Sequence, residues 1–394
     1  MLRAPAATPN ATRQELMARA RAMAQRFAER VAAAEEGRRI PAESAADMLD
    51  AGLARVLLPP RYGGYGLDFD TWLDVVVEIG KVDASHAWCA SLIIHHAHII
   101  TQFPEETQQA VWAGGPDVAI AASVAPRTKV ARIDGGYRVS GQQSAFASGV
   151  DHSSWVMVGG IAPLAAEPEW LLFMIPPGQY TVRDTWFTAG MRGTGSKTIV
   201  TDDVFVPGSH VLSVSDLRQA KSPGRLVNDG LIYRLPFYFY APLTFAAPML
   251  GAAQGAYEHF RDWTRKRTAG DGASVAEKTS VQVRLARAAA DLDAAELLLR
   301  RTALAHHGPQ AEWPKLVARS VRDYARVSEL TVAVMDELLA LSGTAVFATS
   351  HPVQRAWRDV HFAASHIAVN PEMNYGHFGR TELGLPRDPS RPFF

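Results

Sequence analysis

The sequence predicts an α+β fold in three parts: an N-terminal helical domain, a middle β-barrel or sandwich domain and a C-terminal antiparallel helical bundle. Three changes of texture predict it. From Thr12 to Trp112 apolar residues recur at helical spacing. From Val118 to about Leu212 short runs of Val, Ile, Thr, Tyr and Trp are broken by Gly, Pro and Asp, the texture of strands and turns. From Pro242 to about Leu341 helical spacing returns in segments long enough for bundle helices. The expected boundaries are a flexible tail over 1–14, the α domain over 15–115, the β domain over 116–222 and a four-helix bundle over 223–394.

Each element has a local cause. Leu16, Ala20, Met23, Phe27 and Val31 form one apolar stripe on a first helix. Pro41 opens a second, Ala42 to Ala51, and Gly52 ends it. Leu67 to Val82 and Ser85 to Phe103 are two more, the second apolar on nearly every face and therefore buried. The strands expected are Ala119–Val124, Gly136–Ser140, Trp155–Ile161, Trp170–Ile175 and Thr198–Val206, with Asp134-Gly135-Gly136 as a hairpin turn. Residues 214–230 are polar and read as a surface loop. Ala246–Lys266, Ser280–His307 and Trp313–Leu341 are the bundle helices, and the small residues of 246–256 suit close helix approach at a subunit interface.

Composition narrows the function. The chain has 394 residues, 47% apolar and 20% charged, with 40 basic residues against 40 acidic ones. Zero net charge argues against nucleic acid or an anionic membrane as the main partner. No apolar run reaches membrane-spanning length, and Met1 to Arg13 lacks a signal-peptide core, so the expected location is cytoplasmic. Cys89 is the single cysteine, which excludes an internal disulfide and a multi-thiolate zinc site. It reads as a buried small hydrophobe. No Gly-x-Gly-x-x-Gly stands at a strand-to-helix turn, and Gly190 to Lys197 lacks Walker spacing, so neither a dinucleotide nor a nucleoside triphosphate is expected to bind directly.

Four motifs carry a family resemblance over roughly residues 15–385. They are Leu58-Pro-Pro-Arg-Tyr-Gly-Gly-Tyr-Gly66, Asp134-Gly-Gly-Tyr-Arg-Val-Ser-Gly141, Gly190-Met-Arg-Gly-Thr-Gly195 followed by Asp202-Asp-Val-Phe-Val-Pro207, and Trp357-Arg358-Asp359 after Ser342-Gly343 and Pro352-Val353. In this order they resemble the acyl-CoA dehydrogenase superfamily. The departures are as informative. The resemblance implies a catalytic glutamate shortly beyond the Arg-Asp pair, yet Val360 to Val369 holds no carboxylate and His366 stands there. The alternative location, Leu235 to Leu250, has no acid either. Without such a base, α-proton abstraction from a thioester has no agent. Ala145-Phe-Ala-Ser-Gly149, with His152 and Trp155, and the Arg358-Asp359…His361…His366 spacing instead resemble the superfamily's two-component (group D) flavin-dependent monooxygenases. That branch hydroxylates p-hydroxyphenylacetate, secosteroid phenols and polyketide pigments.

The resemblance implies an oxygenase component that takes reduced FMN or FAD from a separate NAD(P)H:flavin reductase. It forms a C4a-hydroperoxyflavin with O2 and passes one oxygen to an aromatic, phenolic substrate. It implies a homotetramer and no metal. His366 is the expected substrate-side base or hydrogen-bond partner, because imidazole is suited to a phenol at neutral pH; a histidine on the polar face of a C-terminal helix is the plainer alternative. His361, five residues earlier, is a weaker candidate for substrate contact. His95, His96 and His98 share one buried helix; His96 or His98 matches the branch's pocket histidine. Ser148 is expected to be catalytic, facing the flavin ring, with Ser123 beside it. Phe146 and Trp186 would wall the ring, and Thr194 belongs to the glycine loop. Arg192, Lys197, Arg265 and Arg267 are candidates for the flavin phosphate. Phe237 to Tyr240, Phe237 and Tyr240 foremost, would line the substrate pocket. Three other readings stay open: N- or S-oxygenation in the same branch, a dehydrogenase with an atypical base, and a non-catalytic flavin-binding scaffold.

Overall fold

The structure, a computed structural model, describes residues 11–163 and 168–386. The N-terminal part holds α1 (Arg13–Gly37), α2 (Ala42–Asp50), α3 (Phe69–Gly80), α4 (Ala84–Ile100) and α5 (Glu105–Val111). The Thr12 hydroxyl accepts the Glu15 amide while the Glu15 carboxylate accepts the Thr12 amide. This box fixes the start of α1 and contributes about 1 kcal/mol. The helix thus begins inside the tail expected over 1–14, of which 1–10 lie outside the described residues. The predicted stripe of Leu16, Ala20, Met23, Phe27 and Val31 is buried throughout. Every residue of α4 is buried, because α3, a later helix over Leu243–Thr264 and the first strand pack around it.

The middle part is one seven-stranded sheet. Its strands are β1 (Ile120–Ile133), β2 (Gly136–Ala147), β3 (Trp155–Ala162), β4 (Glu169–Ile175), β5 (Thr181–Arg183), β6 (Lys197–Pro207) and β7 (Val211–Ser213). They run in the order β5-β6-β2-β1-β3-β4-β7. β1 and β3 pair in parallel and the other neighbours are antiparallel. Asp134 and Gly135 form the two-residue hairpin between Ile133 and Gly136, with Gly135 at φ +73°. The sheet curls, so that Tyr137 on β2 meets Phe173 on β4 edge-on at 5.4 Å across their own apolar core.

The C-terminal part holds α6 (Val214–Arg218), α7 (Leu243–Thr264), α8 (Thr279–Ala303), α9 (Trp313–Ser342), α10 (Pro352–Ala364) and α11 (Pro371–Glu382). α7, α8, α9 and α10 pack on one another, and α7 also packs on α3 and α4. Among the described residues no helix is long and apolar enough to cross a membrane.

Two expectations change. The small-residue face of α7 is occupied within the chain. A methyl on Gly255 would overlap the Lys81 carbonyl, and one on Gly251 would lie 2.5 Å from the Val77 carbonyl oxygen, so these glycines let α7 lie against α3. Residues 214–230 are more than a surface loop. The Gly224 amide donates to Gln102, the Ser222 hydroxyl to the Gln102 side chain, and the Asn228 amide to the Thr101 carbonyl. The polar side chains of this segment satisfy the open carbonyl end of α4 in place of water.

Candidate active site

The candidate residues fall into two groups along α4. Trp88 and His96 stand eight positions apart, about 12 Å along a helix.

The first group surrounds Ser148, at the end of β2. The Trp88 Nε1 donates to the Ser148 hydroxyl at 3.1 Å. Ser148 lies 2.7 Å from the Ser196 hydroxyl, and Ser196 lies 2.6 Å from Thr194 Oγ1. Thr194 in turn donates to the Met191 carbonyl at 2.9 Å. With Trp88 and Met191 fixing the two ends, protons run in one direction, from indole through three hydroxyls to a carbonyl. Trp186 Nε1 also donates to that carbonyl, at 3.1 Å. The Gly149 amide donates to the Thr194 carbonyl at 2.8 Å and ties the two glycine-bearing segments together.

Phe146 stands beside this chain. It has φ +66° and is 61% exposed, edge-on to Trp186 at 6.2 Å. A left-handed aromatic residue costs about 1 kcal/mol or more and persists only where the surroundings enforce it. The Ser123 hydroxyl donates to the Ala145 carbonyl at 2.7 Å and so holds the strap formed by residues 145–148 at the end of β2.

His366 belongs to the same group. α10 stops at Ala364, so His366 is not on the helix of His361; it caps the following turn. Its ring stacks on Phe245 at 3.8 Å and meets Trp88 edge-on at 5.9 Å. Nδ1 accepts the Ala368 amide at 3.2 Å, which leaves the ring proton of neutral His366 on Nε2. Burial pushes its pKa down to about 4. On α10, Asp359 accepts the Met191 amide at 2.6 Å and so ties that helix to the end of the hydroxyl chain. Burial, with Asp83 nearby, pushes that carboxyl up to about 7.

The second group is aromatic. His96 Nδ1 donates to the Ile120 carbonyl at 2.5 Å, which leaves Nε2 as an acceptor. His98 Nε2 bonds the Ile232 carbonyl at 2.9 Å, and its ring is wedged edge-on against Tyr240 at 4.6 Å. Burial pushes both histidines down to about 4 against the pull of those carbonyls. His95 stacks between Trp72 at 5.5 Å and Phe237 at 5.9 Å, with Tyr240 edge-on at 5.8 Å. Neither His95 nitrogen nor the Tyr240 hydroxyl has a hydrogen-bond partner among the described residues. Burial holds His95 well below its ordinary value.

Other candidates are engaged elsewhere. His361 bonds the Trp357 carbonyl at 2.8 Å and Asp336 at 3.1 Å, on the face between α9 and α10. Arg192 donates to the Glu35 and Thr188 carbonyls at 3.2 Å. Arg267 donates to the carbonyls of Leu341 and Ser342 and lies over the Trp263 ring. It closes the end of α9. Lys197 pairs with Asp151 at 2.7 Å, and Arg265 with Asp262 at 3.3 Å. Sequence reasoning gave no role to Trp88, Ser196 or Phe245, and it grouped His95 with His96 and His98 but favoured the other two for the pocket. Trp88 and Ser196 meet Ser148 across 60 and 48 positions, so no local pattern joins them. His95 carries the same sequence signal as His96 and His98, a polar residue on a helix buried all round, so only the fold sets it apart.

Known proteins match this arrangement. Residues 10–116 match the family described as "Acyl-CoA dehydrogenase, N-terminal domain", and residues 243–371 the one described as "Acyl-CoA dehydrogenase, C-terminal domain". The chain is 35% identical to the flavin-dependent monooxygenase oxygenase subunit HsaA of Rhodococcus jostii, over 91% of this chain and 95% of that protein. It is 34% identical to the FADH2-dependent resorcinol hydroxylase oxygenase component of a Rhizobium species, over 98% of each. Its fold matches the crystal structure of the HsaA monooxygenase from M. tuberculosis with TM-score 0.89 and 32% identity, over 96% of this chain and 99% of that one. The chain belongs to the acyl-CoA dehydrogenase family, in its branch of flavin-dependent monooxygenase oxygenase components.

Proposed function

We propose that this oxygenase component hydroxylates a phenolic ring, with FAD delivered in reduced form by a separate NAD(P)H:flavin reductase. The observation that carries the reading is the state of His366. A dehydrogenase needs a carboxylate base at this place, and here stands an imidazole held neutral by burial, with its proton on Nε2. Such a group donates a hydrogen bond to a phenol or phenolate oxygen; it does not strip an unactivated C–H. The phenolic substrate is supported by the resorcinol hydroxylase named above, and FAD by that protein's FADH2 dependence.

The residues present fit a planar ring. Phe146 is exposed in a strained conformation beside buried Trp186, and Ser148 closes the strap with its hydroxyl held by Trp88. When bound, reduced flavin and O2 supply one electrophilic oxygen atom; the second oxygen leaves as water. The chain's own work is positional. Trp88 and Ser196 orient the Ser148 hydroxyl. His366 Nε2–H holds the substrate oxygen, and Phe245 holds His366. His95, Phe237 and Tyr240 supply an apolar wall, and His96 Nε2 an acceptor, further along α4. Burial of His95, His96, His98 and Tyr240 keeps water out on that side, whereas His366 is half-buried. A homotetramer stays part of this reading, assembled through a face other than that of Gly251 and Gly255, which α3 covers.

The test is His366→Ala and His366→Gln, assayed for bound flavin by fluorescence titration and for hydroxylated product per flavin oxidised. Ala retains flavin binding and loses product at least about tenfold, the worth of one hydrogen bond to a charged or reacting group; Gln, which keeps an N–H donor, recovers part of it. Unchanged product in the Ala variant overturns the role given to His366.

A further inference from the structure

A different cluster stands where α3 meets the end of α8. Asp68 precedes α3, and its Oδ1 accepts the Phe69 amide at 2.6 Å, so the carboxylate is fixed by its own helix. α8 ends at Ala303, and the next turn presents His306 and His307. Nε2 of buried His306 lies 3.1 Å from Oδ1 and 3.2 Å from Oδ2 of Asp68. Nε2 of exposed His307 lies 2.9 Å from Oδ2. The three donor atoms lie within 4.8 Å of one another, and no other such group of three occurs among the described residues.

We propose that Asp68, His306 and His307 bind a divalent first-row transition ion of the zinc type, as a structural staple outside the reaction site. Two donors about 2.1 Å from one ion are about 3.0 Å apart at a right angle and about 3.4 Å apart at the tetrahedral angle. The observed spacings of 2.9 to 3.2 Å lie around the right-angle value and short of the tetrahedral one, so a small outward turn of the rings admits an ion. The donor set of two imidazoles and one carboxylate selects zinc, copper, nickel or cobalt over magnesium or calcium, which prefer all-oxygen shells.

Without an ion the cluster is poorly balanced. One carboxylate serves two imidazoles and can neutralise only one of them. Burial pushes the Asp68 carboxyl up, but the hydrogen bonds from His306 and the Phe69 amide, with the attraction of the two imidazoles, together hold it below its ordinary value. An ion satisfies all three groups at once and releases imidazole protons where they carry them. There is room for further ligands. A cleft of about 320 Å³ opens on the cluster and is lined also by Asp229, Gly230 and Leu231. Water or the exposed Asp229 can complete the shell from that side.

The location explains the role. Asp68 belongs to the N-terminal helices and the histidines to the bundle, so an ion would join the two. It would not serve the reaction. The Phe69 ring packs against His306 at 5.1 Å and also against Tyr240 at 5.3 Å and His98 at 5.5 Å. That ring separates the cluster from the aromatic group on α4.

The experiment uses the full chain without an affinity tag, stripped with a chelator and free of flavin. Zinc chloride is titrated by calorimetry, and the thermal midpoint is followed with and without zinc. One ion binds per chain with Kd below about 10 μM, and saturating zinc raises the midpoint by about 2 to 4 °C. Asp68→Asn keeps a helix-capping side chain, and His307→Ala removes an exposed ring, so both variants fold. Each loses at least about tenfold in zinc affinity together with the midpoint rise. X-ray absorption of the zinc-loaded chain shows two imidazoles. Absence of saturable binding up to about 1 mM zinc, or equal binding by His307→Ala, overturns the proposal.

Discussion

The indole nitrogen of Trp88 and the hydroxyl of Ser148 are hydrogen-bonded at 3.1 Å across 60 residues of sequence. The bond joins the central buried helix to the strap that follows β2. Because indole nitrogen can only donate, Ser148 accepts there and passes its own proton on to Ser196. The orientation of the hydroxyl is thus set by groups on two other elements.

Trp88→Phe removes that bond. Phenylalanine keeps an aromatic ring beside Phe245 and His366 but loses the N–H and part of the buried indole. The expected cost is at least about 1 kcal/mol of stability, for the bond and the space left behind, read as a lower urea midpoint at constant m-value. More hydrogen peroxide is released per product formed, because Ser148 is no longer held.

Ser196→Ala cuts the chain on the other side. Ser148 and Thr194 each lose a hydroxyl partner, while the Met191 carbonyl keeps Trp186. Flavin affinity by fluorescence titration stays within about threefold, and the ratio of product to flavin oxidised falls. Ser196→Thr, which restores a hydroxyl, recovers the ratio.

His366 sets an acid-side dependence. Its folded pKa is depressed from 6.5 to about 4 by burial. Above pH 6.5 the ring is neutral folded or unfolded, and its contribution to stability is fully present. As pH falls from 6.5 towards 4 the unfolded chain takes up the proton and the folded chain does not, so this contribution is lost. His366→Gln removes that part of the slope in pH-dependent urea titrations. In kcat/KM profiles between pH 5 and 8, no limb near 6.5 belongs to His366.

Asp359 works in the opposite sense. Burial, with Asp83 adding to it, raises the carboxyl from 3.8 to about 7. Below pH 3.8 both states are protonated and nothing is lost. From there to about 7 the unfolded chain ionises while the folded chain resists, so stability from this group falls as pH rises. Asp359→Asn keeps an acceptor for the Met191 amide and cannot ionise. Its thermal midpoint equals that of the parent near pH 4 and exceeds it at pH 8; a lower midpoint at pH 8 contradicts this account.

The sequence made the periodic parts legible and concealed what depends on distant partners. The α1 stripe and the all-apolar α4 announce their burial because each residue's environment repeats with helical period. The Asp-Gly hairpin announces itself through backbone chemistry. The glycines of α7 indicated a close contact, yet only the fold shows that α3 is the neighbour. The anchoring of residues 214–230 was hidden because a polar side chain that caps a helix end looks the same in sequence as one facing water. His366 was found by its motif, but the proton on Nε2 follows from a backbone amide two residues on, in a turn that helical spacing does not foresee. Asp68 and the two histidines are 238 and 239 positions apart and left no local trace.

The most direct test of the central claim is a single turnover. The chain is loaded anaerobically with reduced FAD, mixed with 18O2 and a panel of phenols, and the products are weighed by mass spectrometry. The account predicts a hydroxylated phenol carrying one 18O atom, with oxidised flavin in matching amount and no external reductase needed for that turnover. Hydrogen peroxide alone with every phenol offered, or product whose new oxygen comes from water, would contradict it.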